Sequence, residues 1–375
     1  MKLRLLNKWK NRGKNTRHFS FLEIGAFLLL GLFACTDGIE TTELSKMTDD
    51  ASLLKSELNR IRTRVADANV VIIVTTADSV SFAVVHSSDI VVDWGDHHTE
   101  LNTFSHTYTD NYPVHTIGLS GTQQAITEFI CSRQEIIFLD VTRAIFLEKL
   151  NCSFNRLTEL DVSLNVDLKE LHCENNRLVG ADLDITENLL LSVLYCNNNS
   201  LIVVNTSQNE NLETFVCGMN NITALNLIKN KKLKSLTCSN NQLTILDVTK
   251  NLFLFELSCD NNKLTTIDLS ANSELLDFYG DSNKLEEINV SKNRKLRNFS
   301  CVDNQLEVLI FPECPDLETF FCNLNPLENY IQRVMWIVKV LPDRTGSESG
   351  ILQISNQDII KQIQDSCQVK NWIVM

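Results

Sequence analysis

The chain has 375 residues, 43% of them hydrophobic, and a formal net charge of −13. These values are typical of a globular protein with room for two or three domains. Residues 1–34 hold seven of the 34 basic and one of the 47 acidic residues, so the rest holds 27 basic and 46 acidic residues, a net charge of −19. Such an acidic surface repels phosphate groups, which excludes nucleic acid as a partner.

The chain begins with a basic stretch and an apolar run over residues 24–34. The run is too short to cross a membrane as a helix and is typical of an export signal. It ends in Leu32-Phe33-Ala34-Cys35, which resembles the lipobox of bacterial lipoproteins. The resemblance implies that residues 1–34 are a signal peptide and that Cys35 carries a lipid anchor in the cell envelope, at the outer membrane and exposed on the surface. Because Phe33 is larger than the family's usual residue, an uncleaved signal anchor or an ordinary secretory signal is the alternative.

Two short segments follow the signal. Residues 35–42 are mostly polar and predict a tether. Residues 43–66 carry apolar side chains at helical spacing, which predicts one amphipathic helix. The apolar positions are Leu44, Met47, Leu54, Leu58, Ile61 and Val65.

Residues 67–125 contain short β-branched runs that predict strands, including Asn69–Thr75, Ser81–Val85 and Val114–Gly121. Val92-Asp93-Trp94-Gly95-Asp96, followed by His106-Thr107-Tyr108, resembles the turn and strand start of polycystic-kidney-disease-type (PKD) β-sandwich modules. The resemblance implies a truncated PKD-like β domain that serves as an N-terminal cap. His97 departs from the family, which has Gly at that position.

Five of the seven histidines lie within residues 86–115, close to Asp93 and Asp96. A metal site that includes His97, His98 and His106 is one interpretation, and a strand-rich module with a polar face is the other. His106 matches the strand-start motif of PKD modules and is expected to be structural. We therefore expect no metal site here.

A regular cysteine series dominates the rest of the chain. Counting Gly280 as its one missing member, successive positions are 21 residues apart, except for one step of 23 residues near Gly180. Such a fixed period is typical of a stacked solenoid. The cysteines are Cys131, Cys152, Cys173, Cys196, Cys217, Cys238, Cys259, Cys301 and Cys322.

Each cysteine belongs to a repeat that reads L-x-x-L-x-C-x-x-N-x-L, and ten repeats cover residues 126–327. The pattern resembles leucine-rich repeats, specifically the 21-residue cysteine-ladder type of internalin-like bacterial surface proteins. The resemblance implies a mainly β repeat solenoid, a right-handed coil of about ten turns, with a small β-sandwich-like cap before it and an α/β cap after it. Positions within a repeat are counted here from Ile126, Leu147, Leu168, Leu191, Leu212, Leu233, Leu254, Leu275, Leu296 and Leu317.

The period also assigns a role to each column of residues. Positions one, four and six face inward, because alternate residues of a strand point to the same side. Thiols on strands ~4.8 Å apart have parallel Cβ directions, so we expect them to stay reduced rather than form disulfides. The Asn at position nine is predicted to form a hydrogen-bonded ladder: Asn155, Asn176, Asn199, Asn220, Asn241, Asn262, Asn283, Asn304 and Asn325.

Residues 328–375 lack the period and are predicted to form the C-terminal cap. Helical spacing begins at Ile331 and ends before Pro342, which cannot continue a helix. A strand over Ile351–Ile354, a helix over Gln357–Asp365 and a strand over Trp372–Val374 are expected to follow.

Positions three, five, seven and eight are predicted to point outward, largely onto a concave face. Exposed aromatic side chains on a rigid sheet are typical protein-binding anchors. Asp260 and Asp281 share a column, about 5 Å apart, and carboxylates that close favour a basic ligand or Ca²⁺. A solvated acidic face with incidental aromatic residues is the alternative. The candidate partner-binding residues are Phe154, His172, Tyr195, Val216, Tyr279 and Phe321, with the acidic residues Glu256, Asp260, Asp277, Asp281 and Asp303.

The sequence contains no zinc-protease, nucleophile-elbow or phosphate-loop motif and no zinc-type cysteine spacing. We therefore expect no enzymatic activity, no catalytic residues and no cofactor besides the Ca²⁺ considered above. The resemblance implies a monomeric envelope lipoprotein whose concave face recognises a protein, as in adhesion to a host surface. A glycan-binding surface protein and a structural spacer without a dedicated ligand are the alternatives.

Overall fold

The computed structural model describes residues 69–109, 114–121, 126–180, 183–329 and 331–375. The expected signal peptide, Cys35, the tether and the helix over residues 43–66 lie outside these ranges. Within them, no helix is both long enough and apolar enough to cross a membrane.

Short strands make up most of the regular structure in these ranges, and helices occur near the C-terminus. The helices are α1 (Ile331–Val340) and α2 (Gln357–Val369), preceded by a 3-10 turn over Pro326–Asn329. The strands are β1 (Asn69–Thr75), β2 (Ser79–Ser81), β3 (Ala83–His86), β4 (Val91–Asp93), β5 (Thr99–Leu101), β6 (Ser105–Thr107), β7 (His115–Ser120), β8 (Ile126–Ile130), β9 (Ile136–Asp140), β10 (Lys149–Asn151), β11 (Glu170–His172), β12 (Val179–Gly180), β13 (Val193–Tyr195), β14 (Ser200–Leu201), β15 (Thr214–Val216), β16 (Ser235–Thr237), β17 (Glu256–Ser258), β18 (Asp277–Tyr279), β19 (Glu287–Asn289), β20 (Asn298–Ser300), β21 (Val308–Ile310), β22 (Thr319–Phe321), β23 (Gly350–Gln353) and β24 (Trp372–Val374).

A 13-stranded sheet extends from β3 in the N-terminal cap, through one strand of each repeat, to β24 in the C-terminal cap. Its central strands come one from each repeat and pair in parallel without a register shift, so that Leu150 lies beside Leu171 and Asn151 beside His172. The middle residue of each of these strands is buried, and its two neighbours are mostly half-buried. This register confirms the predicted solenoid, in which the repeats stack and equivalent positions form columns.

The cysteine column is buried inside the stack. All eleven cysteines in the described ranges are free and buried. This agrees with the reduced thiols predicted for the nine cysteines of the repeat series; no pairing state was predicted for Cys314 and Cys367. Burial raises the pKa of ten of these thiols, to about 12 for Cys238. Because the thiolate is the reactive form, these thiols act as small apolar side chains at neutral pH.

The predicted asparagine ladder is present. The Asn155 amide nitrogen donates to the carbonyl oxygens of Cys131 and Cys152, both at 2.9 Å. Its side-chain oxygen accepts from the backbone nitrogens of Gln134 and Ile136, both at 3.0 Å. Each ladder residue therefore bonds to its own repeat and to the preceding one, and the same pattern continues to Asn325.

A second asparagine ladder, for which the sequence analysis proposed no role, lies on the opposite side of the repeats. Asn165 donates to the carbonyl oxygens of Val141 at 3.0 Å and Ala144 at 2.8 Å. All members are fully buried, and each bonds in this way to the preceding repeat: Asn165, Asn188, Asn209, Asn230, Asn251, Asn272 and Asn293. These bonds satisfy buried turn carbonyls where the repeat has no helix on its outer side.

The two caps continue the sheet pairing of the repeats. At the N-terminal end, β3 pairs antiparallel with β8 of the first repeat. A five-stranded sheet in the order β5-β4-β7-β1-β9 also includes β9 of that repeat. At the other end, β23 and β24 extend the long sheet in parallel beyond β22. The exposed ends of the stack are thereby covered.

Most elements predicted for the caps are present with shifted ends. In the C-terminal cap, the strand begins one residue earlier than predicted, and α2 runs to Val369 instead of ending at Asp365. The side chain of Asn356 caps α2 by accepting from the backbone nitrogens of Asp358 and Ile359. In the N-terminal cap, β5 was not predicted, because Thr99–Leu101 is too short and polar to give an alternating pattern.

Gly280, the missing member of the cysteine series, lies against the side chain of Phe278, two positions before it. Phe also occupies position four in four repeats that keep the cysteine, so the placement of this ring, and not the residue type, distinguishes the repeat. A Cβ atom at Gly280 would lie 2.8 Å from the Cζ atom of Phe278. The aromatic ring therefore fills the space that a thiol occupies in other repeats.

We predict that Gly280→Cys lowers the free energy of unfolding by about 1–3 kcal/mol, although it restores the repeat pattern, because it overpacks this site. Phe278→Leu alone leaves a cavity and is also destabilising. The double variant is expected to be more stable than either single variant in denaturant unfolding. Additive destabilisation in the double variant would contradict this account.

Candidate functional site

The sheet face is defined here as the side chains at positions three and five of the repeats. These positions flank the buried residue of each strand, so their side chains leave the sheet on the side away from the core. Because the parallel register is unbroken from β8 to β22, residues of one column lie beside each other in chain order. Side chains that are far apart in the sequence thus form a continuous surface.

His172, Tyr195 and Val216 form one patch in the position-five column. The rings of His172 and Tyr195 are stacked, with centroids 4.7 Å apart and planes 12° from parallel. Val216 follows Tyr195 on the next strand. Burial lowers the pKa of His172, although the nearby Glu174 and Glu170 carboxylates oppose the shift. The imidazole is therefore neutral at pH 7 and presents a polar but uncharged edge.

Charged side chains border this patch in the position-three column. Lys149 forms an ion pair with Glu170 at 2.7 Å. The Glu170 carboxylate also lies 4.0 Å from the Nε2 atom of His172. The patch thus combines an aromatic pair with a charged border.

Tyr279 and Phe321 lie on the same face, nearer the C-terminal end of the stack. Ser300 separates them, because β20 lies between β18 and β22. Both aromatic side chains are half-buried. Burial, followed by the carboxylates of Asp277 and Glu256, raises the pKa of the Tyr279 hydroxyl, so this side chain remains a hydrogen-bond donor at neutral pH.

Asp260 and Asp281 are turned along the stack and bond to neighbouring repeats. Asp260 accepts from the Ser239 hydroxyl and from the backbone nitrogen of Asp281, both at 2.9 Å. Asp281 accepts from the Ser300 hydroxyl at 2.5 Å and from the backbone nitrogen of Val302 at 2.8 Å. Burial raises the pKa of Asp281 despite these bonds. Both carboxylates therefore hold adjacent repeats together.

The other predicted acidic residues also accept hydrogen bonds from adjacent repeats. Glu256 accepts from Ser235 at 2.8 Å, Asp277 from Asn298 at 2.7 Å and Asp303 from Ser282 at 3.1 Å. In the described part of the chain, no three of the five carboxylates bring oxygen atoms within 4.8 Å of one another. Ca²⁺ binding at this group stays a prediction.

Phe154 lies at position eight, in the turn that follows the strand. Its backbone has a φ of 56°, in the left-handed region. The ring is exposed, and the Arg133 guanidinium carbon lies 3.7 Å from its centroid. Such a cation–π contact holds the arginine of the preceding repeat against the ring.

Position eight is left-handed in every repeat, and this column contains residues that the sequence analysis missed. Asn occupies the position in four repeats, which suits a left-handed backbone: Asn175, Asn198, Asn240 and Asn261. Met219 and Leu324 adopt the same backbone with large apolar side chains that are 56% and 58% exposed. The sequence showed that Met219 and Leu324 replace Asn at this position. It did not show that the backbone there is left-handed, which makes a large apolar side chain energetically unfavourable. Strain of this kind is typical of functional positions.

We predict that Met219→Asn raises the free energy of unfolding by about 1 kcal/mol, because Asn tolerates the left-handed backbone better than Met. The matched control is Asn240→Met in the next repeat, which should be destabilising by a similar amount. Thermal and denaturant unfolding measure both effects. If Met219→Asn is destabilising, the Met219 side chain makes stabilising contacts and the strain argument is wrong.

Comparisons with known proteins give similarity in structure only. No family model and no curated protein sequence matches the chain. The chain is similar to the functional domain of InlJ from Listeria monocytogenes, which includes a cysteine ladder, with 22% identity, a TM-score of 0.34 and coverage of 66% of this chain and 72% of that one. A leucine-rich repeat protein of Leptospira interrogans has 17% identity and a TM-score of 0.44, with coverage of 66% and 83%. The internalin InlF from L. monocytogenes has 15% identity and a TM-score of 0.45, with coverage of 66% and 86%.

Proposed function

We propose that this protein is a non-enzymatic, lipid-anchored protein of the bacterial envelope that binds a protein partner through the sheet face of its repeats. The stacked pair of His172 and Tyr195, beside Val216, is the observation that carries the proposal. These side chains are held on a backbone whose position is set by parallel pairing on both sides. A partner would therefore meet a preorganised surface and lose little conformational freedom of the receptor on binding.

The orientation of the rings favours a protein over a glycan. Adjacent strands lie about 4.8 Å apart, and the two ring centroids lie 4.7 Å apart. The rings therefore stack along the pairing direction and turn their edges outward. A sugar stacks on an exposed ring face, whereas ring edges with a hydroxyl and an imidazole nitrogen suit the mixed polar and apolar side chains of a protein.

The charge of the chain supports a basic contact region on the partner. Beyond the signal, the chain carries a net charge of −19, which follows from 27 basic and 46 acidic residues. Glu256 and Asp277 remain partly accessible near Tyr279, and Asp303 is exposed, although each accepts a hydrogen bond. Complementary charge would speed the encounter, and the aromatic side chains would supply most of the affinity.

The proposed anchor and location derive from the sequence of residues 1–35. Lipid on Cys35 would place residues 36–68, with the tether and helix predicted there, between the anchor and β1. Along the sequence, the PKD-like cap would then be closer to the lipid anchor than the repeats are. A partner on another cell could be bound only if the repeats are exposed on the outer surface.

A photoreactive phenylalanine analogue placed at position 195 tests the proposal in intact cells. We expect a discrete adduct with another protein, and at least a fivefold smaller yield when His172→Ala is added. The matched control carries Thr237→Ala, in the same column two repeats beyond Tyr195, and should keep the yield. The analogue at position 245, where Ile245 is 75% exposed outside the sheet face, should give no such adduct.

Three outcomes would contradict the proposal. A glycan adduct would favour the glycan-binding alternative. Absence of any adduct at position 195, with the chain present at its normal level, would favour a structural spacer. Complete protection of residues 126–327 from protease added to the same cells would contradict surface exposure.

A further inference from the structure

The turn between β4 and β5, together with β6, brings one carboxylate and two imidazoles together in the N-terminal cap. The Asp96 Oδ2 atom lies 2.8 Å from Nε2 of His106, and its Oδ1 atom lies 3.1 Å from Nδ1 of His98. One ligand atom from each residue lies within 4.8 Å of the other two. In the described ranges, this is the one group of three His, Cys, Asp or Glu side chains arranged in this way.

The backbone of this turn is tightly constrained. Gly95 has a φ of 77°, and a Cβ atom there would overlap the carbonyl oxygen of Thr116. The Gly95 nitrogen donates to the Asp93 side chain at 3.0 Å, and the His98 nitrogen donates to Oδ1 of Asp96 at 3.1 Å. Asp96 is therefore held in one orientation before any ligand binds.

The imidazole of His106 is fixed by aromatic packing. It stacks on Trp94, with ring centroids 4.9 Å apart and planes 14° from parallel, and meets the edge of Tyr108 at 4.8 Å. The Tyr108 hydroxyl donates to the Trp94 carbonyl oxygen at 2.9 Å. The ring is thus held with its Nε2 atom directed at Asp96.

Exposure differs among the three side chains in a way that suits an open site. Asp96 and His106 are only 11% and 15% exposed, whereas His98 is 71% exposed. Asp96 and His106 would be preorganised and shielded from solvent, and the exposed His98 would complete the ligand set from the solvent side. Such an arrangement leaves a coordination position for water or for a group from a partner.

We propose that Asp96, His98 and His106 bind a divalent transition metal ion, with Zn²⁺ as the best match. Two imidazole nitrogens and one carboxylate oxygen form a ligand set that Zn²⁺ uses in proteins with an open fourth position. Ca²⁺ and Mg²⁺ require oxygen ligands and do not match this set. Neighbouring ligand atoms about 3 Å apart are compatible with bonds of about 2.0–2.1 Å to one ion.

Without a metal ion, the two imidazoles donate protons to the carboxylate, and the same contacts serve only to hold the turn. On binding, each neutral imidazole changes tautomer: its proton passes through solvent to the other ring nitrogen, and the nitrogen that faces Asp96 binds the ion through its lone pair. The expectation that His106 is structural and the proposed metal site therefore predict different behaviour when Zn²⁺ is added.

The test is isothermal titration of the full chain with Zn²⁺ after treatment with a chelator. We expect one equivalent to bind with a micromolar or lower dissociation constant, and His98→Ala to weaken binding at least tenfold. Because His98 is exposed, this variant is expected to fold normally, which circular dichroism and thermal unfolding of the metal-free protein would show. The matched control is His97→Asn, because Asn tolerates the left-handed φ of 72° at that position; it should bind like the wild type.

Thermal unfolding gives a second measurement. Zn²⁺ should raise the melting temperature of the wild type and of His97→Asn, but not that of His98→Ala. Absence of saturable binding would overturn the proposal. Equal binding by the wild type and His98→Ala would also overturn it, because the ion would then be bound elsewhere, for example at Cys35 or His18.

Discussion

The structure depends on one constraint: every repeat must satisfy its buried backbone polar groups without a helix. Two asparagine ladders meet this requirement, one on each side of the stack, represented by Asn155 and Asn165. Each amide donates to a carbonyl of the preceding repeat, and Asn155-type residues also accept from backbone nitrogens. An unpaired buried group costs more than the bond contributes, so a single repeat could not fold alone. The ladders also set the register that places every side chain of the sheet face.

The repeat region was the most predictable part of the molecule, because its information lies in period and residue type alone. The buried thiols, the Asn155-type ladder and the ten-repeat stack follow from counting positions. The roles of Asp260 and Asp281 could not be predicted, because their hydrogen-bond partners lie in adjacent repeats, as Ser239 does for Asp260 and Ser300 for Asp281, and the direction of a side chain is not encoded in spacing. The cap was harder still, since β5 is short and polar and since Asp96 meets His106 only through antiparallel folding.

In the candidate binding surface, the backbone repeats regularly from strand to strand, whereas the outward-facing side chains differ from repeat to repeat. His172, Tyr195 and Val216 occupy a column in which four other repeats carry Asn, Thr or Ser and the remaining three carry Ile130, Tyr279 and Phe321. Position eight follows the same rule, because Asn is replaced there by Phe154, Met219 and Leu324 at a backbone geometry that disfavours them. Residues at positions five and eight can vary without disturbing the repeat. These positions can therefore determine which partner the surface binds. The proposed metal site in the cap is independent of this surface and rests on a different set of contacts.

The central claim is that leucines and reduced thiols form a dry interior shared by stacked repeats. Alkylation of the native protein at pH 8, followed by mass measurement, tests it most directly. These thiols are buried, so none of the eleven described cysteines should react in the native state, and all eleven should react in denaturant. Rapid native modification of Cys152, Cys217 or Cys238, or disulfides joining neighbouring repeats, would contradict the account.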